Sequence, residues 1–424
     1  VFERVNPANR NEIIGTAPNS TAQDVNDAVA AAEHAFKTWR ELSWVKRAEI
    51  IDNFAQLIKR DVEEIAVLVT RECGKPINEG RADAVEALHM AQYIAGLGRL
   101  PHGYAVSSEI SAKDAYILRK PKGVVACITP WNFPSAIPLW LVLPAVLAGN
   151  TVVFKPAEQT PICGHKLMEL FHEAGFPAGV INLVHGFGEP VGDPLVKHKA
   201  VDAVLFTGSR AVGKYIQQVA ANDLFKFAAT EMGGKNATIV LEDADIELAI
   251  NACVLGAFKT SGQRCVSTSR IIIDKKIEAE FTARYVEKVK RIRVGDGLNP
   301  DVFMGPLIEA GAIDKWQHHN AKAKEEGAQV LVDGQVLTEG EHANGNFVSP
   351  FVYRFDGYKK NTFCLREEAF SPHVAIIPID GLEEAVEVYN DTDYGLAMAV
   401  ITEDYRKWRY VRDHADYGLG YVNL

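Results

Sequence analysis

The sequence predicts an α/β protein with largely parallel sheets, and three stretches of the chain support this prediction. The first hundred residues carry apolar side chains mostly at helical spacing. From Gly123 onward, short apolar runs typical of buried strands alternate with helical patterns. A second set of alternations begins at Lys235. Because each strand of the first set is followed by a helix, we expect a parallel sheet with helices on both faces.

The N-terminal region is predicted to begin with short extended segments, which turn at Asn6 and Pro7. Thr21 followed by Asp24 is typical of a helix N-cap with an acidic first turn. Apolar residues then follow helical spacing to Trp39, and two longer helical patterns cover residues 45–71 and 78–97.

The segment from Glu109 to Pro121 is predicted to be different, since Ala115 to Leu118 are strand-prone and flanked by charge. It is either a hairpin that leaves the domain or an edge strand. Beyond it we predict strands in GVVACIT, NTVVFKPAE, GVINLVHG and AVLFTGS, and a buried helix over 137–148. Thr160 is expected to cap a helix that has Pro161 at its first position.

The second set of alternations predicts strands in KNATIVLEDADI and over residues 269–273, 328–332, 373–379 and 396–401, with helices between them. We place the domain boundary near Gly233 and Gly234. No internal repeats or low-complexity tracts interrupt the chain.

Composition excludes several classes of protein. The net charge of −10 argues against nucleic-acid or anionic-membrane partners, which both require basic surfaces. The six cysteines form no CxxC pair, so we expect neither a disulfide framework nor a metal site, and a reducing, cytoplasmic setting fits. No secretory signal or membrane-spanning apolar run is visible.

The stretch KTSGQRCVS, Lys259 to Ser267, holds the most informative cysteine. Cys265 follows an apolar helical run in a polar, Gly-containing loop, where a thiol can be exposed and activated as a nucleophile. Taken alone, a cysteine is more often buried and inert. Glu231 in EMGGK offers a carboxylate base, and Asn132 in PWNFP offers an amide donor. Most glutamates are surface carboxylates, but a glycine pair so close to Glu231 is unusual for a plain helix face. Asn132 is alternatively an ordinary turn residue after Pro130.

Two further motifs are consistent with nucleotide binding. In FTGSRAVG, a strand end at Phe206 is followed by Gly208, Ser209 and a helix start, whose backbone amides suit a phosphate. In KPAE, Lys155 and Glu158 are either ligands of ribose hydroxyls or solvated residues. The chain has no GxGxxG fingerprint, and each motif by itself is weak.

Taken in order, PWNFP, KPAE, FTGS, EMGGK, GQRC and EEAFSP are specific. With them the sequence resembles the NAD(P)-dependent aldehyde dehydrogenase superfamily, including its semialdehyde-type members, from about Asn6 to Asn423. Met232 stands where the family usually has Leu.

This resemblance implies a role for each matching residue. Cys265 would attack the aldehyde to give a thiohemiacetal, with the amide of Asn132 and the backbone N–H of Cys265 holding the oxyanion. Hydride transfer to the nicotinamide would leave a thioester, which Glu231 would hydrolyse by activating water. Glu231 therefore favours a free carboxylic acid over transfer to coenzyme A.

The resemblance also implies a cofactor site for NAD, with NADP as the alternative. Lys155 and Glu158 match residues on the adenosine ribose, and a carboxylate there disfavours a 2′-phosphate. Glu368 and Phe370 match residues that position the nicotinamide ribose and ring. The complete set of cofactor-binding residues expected is Ile128, Thr129, Pro130, Trp131, Lys155, Glu158, Gly188, Phe206, Gly208, Ser209, Val212, Gly213, Met232, Glu368 and Phe370.

The implied architecture is the aldehyde dehydrogenase fold. An NAD-binding domain with a Rossmann-like sheet would take residues 1–102 and 122–233, a protruding oligomerisation hairpin residues 103–121, and an α/β catalytic domain residues 234–424. We expect a homodimer or homotetramer. Family members normally continue past GYVNL through a Gly-rich loop and a final strand that pairs with a neighbouring subunit. Those residues are absent from this sequence, so the segment is expected to be either disordered or truncated.

The substrate pocket is less clearly encoded. By position, Phe133, Ile137 and Trp140 should line its mouth, and Lys259, Arg264 and Val266 flank Cys265. Lys259 and Arg264 are either scaffold charges or, for one of them, the ligand of a semialdehyde carboxylate. The sequence does not separate semialdehydes from other aldehydes.

Three other functions remain open at this stage: a coenzyme-A-acylating reductase, a catalytically silent binding or structural protein, and a hydrolase that uses Cys265 and Glu231 without cofactor. Glu231 argues against the first, and the complete set of Asn132, Glu231 and Cys265 argues against the second.

Overall fold

The computed structural model describes residues 1–424, which form two compact units. The first contains residues 1–5, 13–72 and 78–232, and the second contains residues 6–12, 73–77 and 233–424. Residues 6–12 and 73–77 therefore group with the second unit, although both lie in the stretch expected to belong to the first domain. None of the helices combines the length and apolar character needed to cross a bilayer.

The N-terminal elements form largely as predicted. The strands β1 (Phe2–Asn6) and β2 (Asn9–Ala17) pair, and the helices α1 (Ala22–Trp39), α2 (Trp44–Cys73) and α3 (Ile77–Leu97) follow. Thr21 and Asp24 make a reciprocal capping box at the start of α1. The predicted hairpin is present, because β3 (Gly103–Val106) pairs antiparallel with β4 (Ala115–Leu118).

The remaining elements of the first unit are β5 (Val124–Ile128), α4 (Ala136–Leu147), β6 (Thr151–Lys155), α5 (Pro161–Glu173), β7 (Ile181–Leu183), a π-helical turn (Gly188–Gly192), α6 (Asp193–Lys197), β8 (Ala203–Thr207), α7 (Arg210–Ala220) and β9 (Phe227–Glu231). The five strands β5–β9 form one parallel sheet in the order β7-β6-β5-β8-β9. Successive side chains of β5 alternate between its faces. Val124 and Ala126 pack with α1, α6 and α7, while Val125 and Cys127 are buried on the face opposite.

The predicted cap of α5 is wrong in its chemistry. Thr160 stands at the N-cap position before Pro161, but its hydroxyl makes no capping hydrogen bond. The carboxylate of Glu72 instead accepts hydrogen bonds from the backbone N–H groups of Ile162 and Cys163, at 2.9 and 2.7 Å. A residue distant in sequence replaces the local cap because tertiary packing brings a buried carboxylate to these N–H groups.

The second unit contains β10 (Ala237–Val240), α8 (Ile246–Phe258), β11 (Arg270–Asp274), α9 (Lys275–Val289), α10 (Ala310–Glu325), β12 (Gln329–Val332), β13 (Phe351–Arg354), α11 (Phe363–Arg366), β14 (His373–Ile379), α12 (Leu382–Asn390), β15 (Ala397–Ile401), α13 (Tyr405–His414) and β16 (Leu419–Val422). Short 3₁₀ turns cover Lys259–Gly262 and Gly340–His342. The strands form one mixed sheet in the order β12-β13-β14-β11-β10-β15-β16, in which only the β12–β13 pair is antiparallel.

Two apolar cores cover the faces of this mixed sheet. The helices α8 and α9 pack on one face against Val240, Ile271 and Ile273. The helices α10 to α13 pack on the other face, against Ile239 and Ile272. The strand runs are continuously apolar because both faces of the sheet are buried.

Three strands, β9, β13 and β16, were not predicted, and β3 was expected only as part of the hairpin over residues 103–121. In β9 the residues alternate between exposed and half-buried, and all of β16 is exposed, so neither carries the apolar run of a buried strand. Both are edge strands, which hydrogen-bond to one neighbour only.

Candidate active site

The backbone before Cys265 makes a left-handed turn. Helix α8 ends at Phe258, and Thr260, Ser261 and Gly262 then have φ angles of 52°, 55° and 69°. Two successive non-glycine residues in this region cost free energy, and such costs concentrate at functional sites. Cys265 is partly exposed, whereas the other five cysteines are buried. The structure therefore removes the main objection to a reactive thiol at this position.

Asn236 holds the loop that carries Cys265. Its side-chain amide donates to the carbonyl oxygens of Cys265 and Ser267, at 2.6 and 3.1 Å. Its Oδ1 accepts from the backbone N–H of Ala397 at 2.9 Å, at the start of β15. Asn236 is buried and all these groups lie in the second unit, so the loop is tied directly to the mixed sheet. Asn236 directly follows EMGGK, but no motif in the sequence indicated a role for it.

Further hydrogen bonds fix the turn itself. The hydroxyl of Ser261 donates to the carbonyl oxygen of Gly305 at 2.7 Å. Gln263 accepts from the backbone N–H of Ile308 at 3.0 Å and donates to the carbonyl oxygen of Thr260 at 3.2 Å. These bonds satisfy buried polar groups and hold the strained backbone in place.

The residues that flank Cys265 have different surroundings. Arg264 is half-buried, and its Nε donates to Oγ1 of Thr260 at 2.8 Å, which orients the guanidinium plane. The ammonium of Lys259 lies 4.8 Å from the centre of the Phe303 ring, a cation–π contact that favours a scaffold role. Val266 is half-buried.

Close packing explains both glycines of EMGGK. A Cβ at Gly233 would lie 2.0 Å from Oε2 of Glu368. A Cβ at Gly234 would lie 2.6 Å from the carbonyl oxygen of Cys265. Neither position has room for a side chain, so the motif brings backbone, carboxylate and nucleophile loop together.

Glu368 and Lys235 are ionisable groups whose pKa values burial displaces toward neutrality. Burial raises the pKa of Glu368 to about 7, although its carboxylate accepts from the backbone N–H of Gly234 at 3.1 Å. Burial lowers the pKa of Lys235 to about 7, and its Nζ donates to the carbonyl oxygen of Glu367 at 2.7 Å. Phe370 has a φ angle of 50°, another left-handed non-glycine residue. Glu368 and Phe370 line a small crevice with Arg264, and all three lie in the second unit.

Asn132 and Glu231 belong to the first unit, where both lie at or just after the carboxyl ends of parallel strands. Asn132 is buried in the connection between β5 and α4. Glu231 is the last residue of β9, and its carbonyl oxygen accepts from the backbone N–H of Gly208 at 3.0 Å. The side chain of Glu231 is exposed, which leaves its carboxylate accessible to solvent.

A pocket of about 590 Å³ opens at the same edge of the parallel sheet. Four of the expected cofactor residues line it: Ile128, Lys155, Gly188 and Val212. Its other lining residues, which no sequence motif indicated, are Glu189, Gly192, Asp193, Val196, Tyr215 and Ile216. They lie on the π-helical turn, α6 and α7. No local pattern in the sequence indicates that these elements line one pocket.

The turn that leads into α7 has the features of a phosphate site. Ser209 is the N-cap of α7 and accepts from the backbone N–H of Val212 at 3.4 Å. A Cβ at Gly208 would lie 2.5 Å from the ring of Phe206, and one at Gly213 would lie 2.6 Å from the sulfur of Met232. Phe206 and Met232 thus pack closely against the two glycines of this turn.

Lys155 is almost fully buried at the end of β6, and its Nζ lies 3.7 Å from Oε2 of Glu158. Burial lowers its pKa, and Glu158 partly opposes this effect. A buried ammonium beside a carboxylate offers a donor and an acceptor to a diol. With the apolar walls and the N-terminus of α7, these groups fit a dinucleotide.

The remaining expected residues lie in the connection between β5 and α4 and on α4. Thr129 is buried, while Pro130, Trp131 and Phe133 are half-buried. On α4 itself, Ile137 is buried and Trp140 is exposed. Of the two helical positions expected at the mouth of the substrate pocket, only Trp140 is therefore accessible.

Known proteins are similar to this chain in sequence and in fold. The whole chain, residues 1–424, matches the sequence profile of the family described as "Aldehyde dehydrogenase family". It is 41% identical to alpha-ketoglutaric semialdehyde dehydrogenase of Bacillus subtilis (strain 168) over 99% of this chain and 85% of the relative. It is 38% identical to betaine aldehyde dehydrogenase of the same organism, with the same coverage.

A solved structure is similar throughout. The structure of betaine aldehyde dehydrogenase from Staphylococcus aureus in complex with NAD+ covers 100% of this chain and 84% of its own, at 35% identity and a TM-score of 0.96. The sequence profile, the relatives and the fold lead to one conclusion: this chain belongs to the aldehyde dehydrogenase family.

Proposed function

We propose that this chain oxidises an aldehyde that carries a carboxylate, through a covalent intermediate on Cys265, and releases a free carboxylic acid. The observation that carries the mechanism is the partly exposed Cys265, on a strained loop that Asn236 ties to the mixed sheet. The relative that is 41% identical acts, by its name, on a semialdehyde, which supports the substrate class.

In this proposal the thiolate of Cys265 attacks the aldehyde carbon and forms a C–S bond. The amide of Asn132 and the backbone N–H of Cys265 donate hydrogen bonds to the resulting oxyanion, which lowers the barrier. NAD+, when bound, supplies the acceptor for the hydride that leaves the same carbon. The oxygen then re-forms its double bond, and a thioester remains on Cys265.

Glu231 completes the turnover by removing a proton from water. The hydroxide attacks the thioester carbon, the C–S bond breaks, and the thiolate of Cys265 is restored. The exposed carboxylate at the end of β9 suits a group that exchanges protons with solvent. Hydrolysis by Glu231 argues against a coenzyme-A-acylating enzyme, and the preserved reactive groups argue against a silent protein.

The same proposal assigns the cofactor residues. Lys155 and Glu158 hold ribose hydroxyls, the turn from Gly208 to Gly213 holds phosphate, and Glu368 and Phe370 position the nicotinamide end. Thr129, Pro130, Trp131 and Met232 belong to the same site. Residues 1–102 and 122–233 serve as the NAD-binding domain, 103–121 as the oligomerisation hairpin of a homodimer or homotetramer, and 234–424 as the catalytic domain.

We further propose that Arg264 binds the substrate carboxylate. Arg264 directly precedes the nucleophile Cys265, and the hydrogen bond to Thr260 orients its guanidinium group. Arginine pairs with carboxylates in bidentate geometry. Phe133, Trp140 and Val266 provide apolar contacts to the carbon chain.

The decisive experiment follows NADH absorbance with alpha-ketoglutaric semialdehyde, betaine aldehyde and a neutral aliphatic aldehyde. We expect the semialdehyde to give the highest kcat/KM and Cys265→Ala to abolish NADH formation. Arg264→Ala should raise KM for the semialdehyde at least about tenfold, because the substrate loses one charged contact. KM for the neutral aldehyde should stay unchanged.

Arg291→Ala is the matched control, because it removes an exposed arginine that pairs with Glu287 on α9. An equal rise of KM for acidic and neutral aldehydes in Arg264→Ala would reject the carboxylate role. NADH formation that survives Cys265→Ala would reject the covalent mechanism.

A further inference from the structure

One wall of the dinucleotide pocket carries a hydrogen-bonded network of three side chains on α6 and α7. The phenol of Tyr215 donates to Oδ1 of Asp193. The ammonium of Lys197 donates to Oδ2 of the same carboxylate at 2.9 Å. Lys197 also lies 5.8 Å from the centre of the Tyr215 ring. Asp193 and Tyr215 both line the pocket, and the network fixes them relative to each other.

The carboxylate of Asp193 keeps capacity to accept another hydrogen bond. An ionised carboxylate has about four acceptor positions, and the two bonds described occupy one on each oxygen. The hydrogen bond from Tyr215 and the charge of Lys197 lower the pKa of Asp193. It is therefore an acceptor without a proton to donate at neutral pH.

The surroundings of Asp193 suit a flat heteroaromatic ring. The side chains of Ile128, Val196, Val212 and Ile216 provide apolar walls. Lys155 and Glu158, at the end of β6, fit the ribose, and the N-terminus of α7 fits the phosphates. An acceptor-only carboxylate beside an apolar slot favours a base that presents an amino group and disfavours one that presents a carbonyl oxygen.

We infer that Asp193 accepts a hydrogen bond from the exocyclic amino group of adenine, and thereby makes this pocket selective for adenine over 6-oxopurine dinucleotides. Tyr215 and Lys197 act as positioning residues that hold the carboxylate in place. This inference rests on the proposed binding of NAD+ in the pocket and adds a determinant of base specificity. Hypoxanthine differs from adenine at this edge because its O6 is a hydrogen-bond acceptor, whereas the 6-amino group of adenine is a donor.

The test is calorimetric titration of the full chain, without aldehyde, with NAD+ and with nicotinamide hypoxanthine dinucleotide. We expect the hypoxanthine analogue to bind about tenfold more weakly, because its O6 places an acceptor against the acceptor-only carboxylate of Asp193 where adenine places a donor. In Asp193→Asn the ratio of the two dissociation constants should fall to about one, because an amide can offer a donor or an acceptor. Tyr215→Phe, which keeps the ring, should lower the ratio by a smaller factor.

Glu189→Gln is the matched control, since it removes a carboxylate from the same pocket outside the network, and should keep the wild-type ratio. Equal affinities of the unsubstituted chain for the two dinucleotides would overturn the inference and leave the proposed NAD+ site intact. Absence of binding of either dinucleotide would overturn the proposed site itself. The comparison on the unsubstituted chain stands even if Asp193→Asn does not fold.

Discussion

The side-chain amide of Asn236 donates a hydrogen bond to the carbonyl oxygen of Cys265 at 2.6 Å, while its Oδ1 accepts from the backbone of Ala397 at 2.9 Å. The buried side chain of Asn236, the first residue after EMGGK, thus connects the backbone of the candidate nucleophile to the start of β15. The position of the thiol depends on the mixed sheet through this residue.

Asn236→Ala should therefore displace the Cys265 loop. Loss of three hydrogen bonds, one buried and two partly buried, is expected to lower the free energy of unfolding by about 2–4 kcal/mol. Because the nucleophile loses its orientation, kcat/KM should fall at least about tenfold. Urea unfolding, steady-state kinetics and the rate of alkylation of Cys265 by iodoacetamide measure the three effects. Asn222→Ala, at the exposed end of α7, is the control, and equal alkylation and turnover in both variants would contradict the role of Asn236.

Gly234→Ala should damage the same loop by a different route. The added Cβ would meet the carbonyl oxygen of Cys265 at 2.6 Å and the side chain of Asn236 at 2.4 Å, so the backbone has to move. We expect a loss of about 1–3 kcal/mol of stability and a clear fall in kcat. Gly311→Ala is the control, because its Cβ would meet nothing within 4 Å and it lies in α10, where alanine is favoured. Thermal unfolding that is unchanged by Gly234→Ala would show that this packing is not constraining.

Glu158→Gln tests the preference for NAD+ over NADP+. The carboxylate of Glu158 stands 3.7 Å from Nζ of Lys155, and repels a 2′-phosphate if it holds the adenosine ribose. Removing its charge leaves Lys155 without its partner and should improve NADP+ affinity relative to NAD+ by about tenfold. Calorimetric titration with both dinucleotides measures the ratio. Glu169→Gln, an exposed position on α5, should leave the ratio unchanged, and a similar change in both variants would refute a local role.

Glu368 should make stability depend on pH between about 4.5 and 7. Burial raises its pKa from 4.5 to about 7, so the folded chain holds a proton that the unfolded chain releases. Its contribution to stability is complete below pH 4.5 and is lost as pH rises toward 7. Glu368→Gln removes this loss, and the variant should gain stability relative to the unsubstituted chain as pH rises through this range.

Urea unfolding at several pH values measures the difference between the two proteins. The buried histidines His319 and His373, whose pKa values burial holds well below normal, contribute equally to both proteins and cancel. Lys235, with its pKa lowered to about 7, affects stability mainly above that pH. A difference that is independent of pH would contradict a raised pKa for Glu368.

Much of the secondary structure was accessible from the sequence because its signals are local. The capping box at Thr21, the continuous apolar runs of β5, β6, β10 and β11, and the long apolar periodicity of α2 each depend on neighbours a few residues apart. The motifs were sufficient to identify the family, because residue types and their order along the chain are visible in the sequence.

The cap of α5 and the surroundings of the candidate site required the tertiary structure. Glu72 replaces Thr160 as the cap from a distant position, Asn236 reaches Cys265 across 29 residues, and Asp193 meets Tyr215 across 22 residues. The burial that moves the pKa values of Lys235 and Glu368 toward 7 likewise arises from packing. Which chemical groups are present, and in what order, can be read directly from the chain. Only the fold decided which of them are buried and which meet, because contacts between distant residues and the exclusion of water leave no local pattern in the chain.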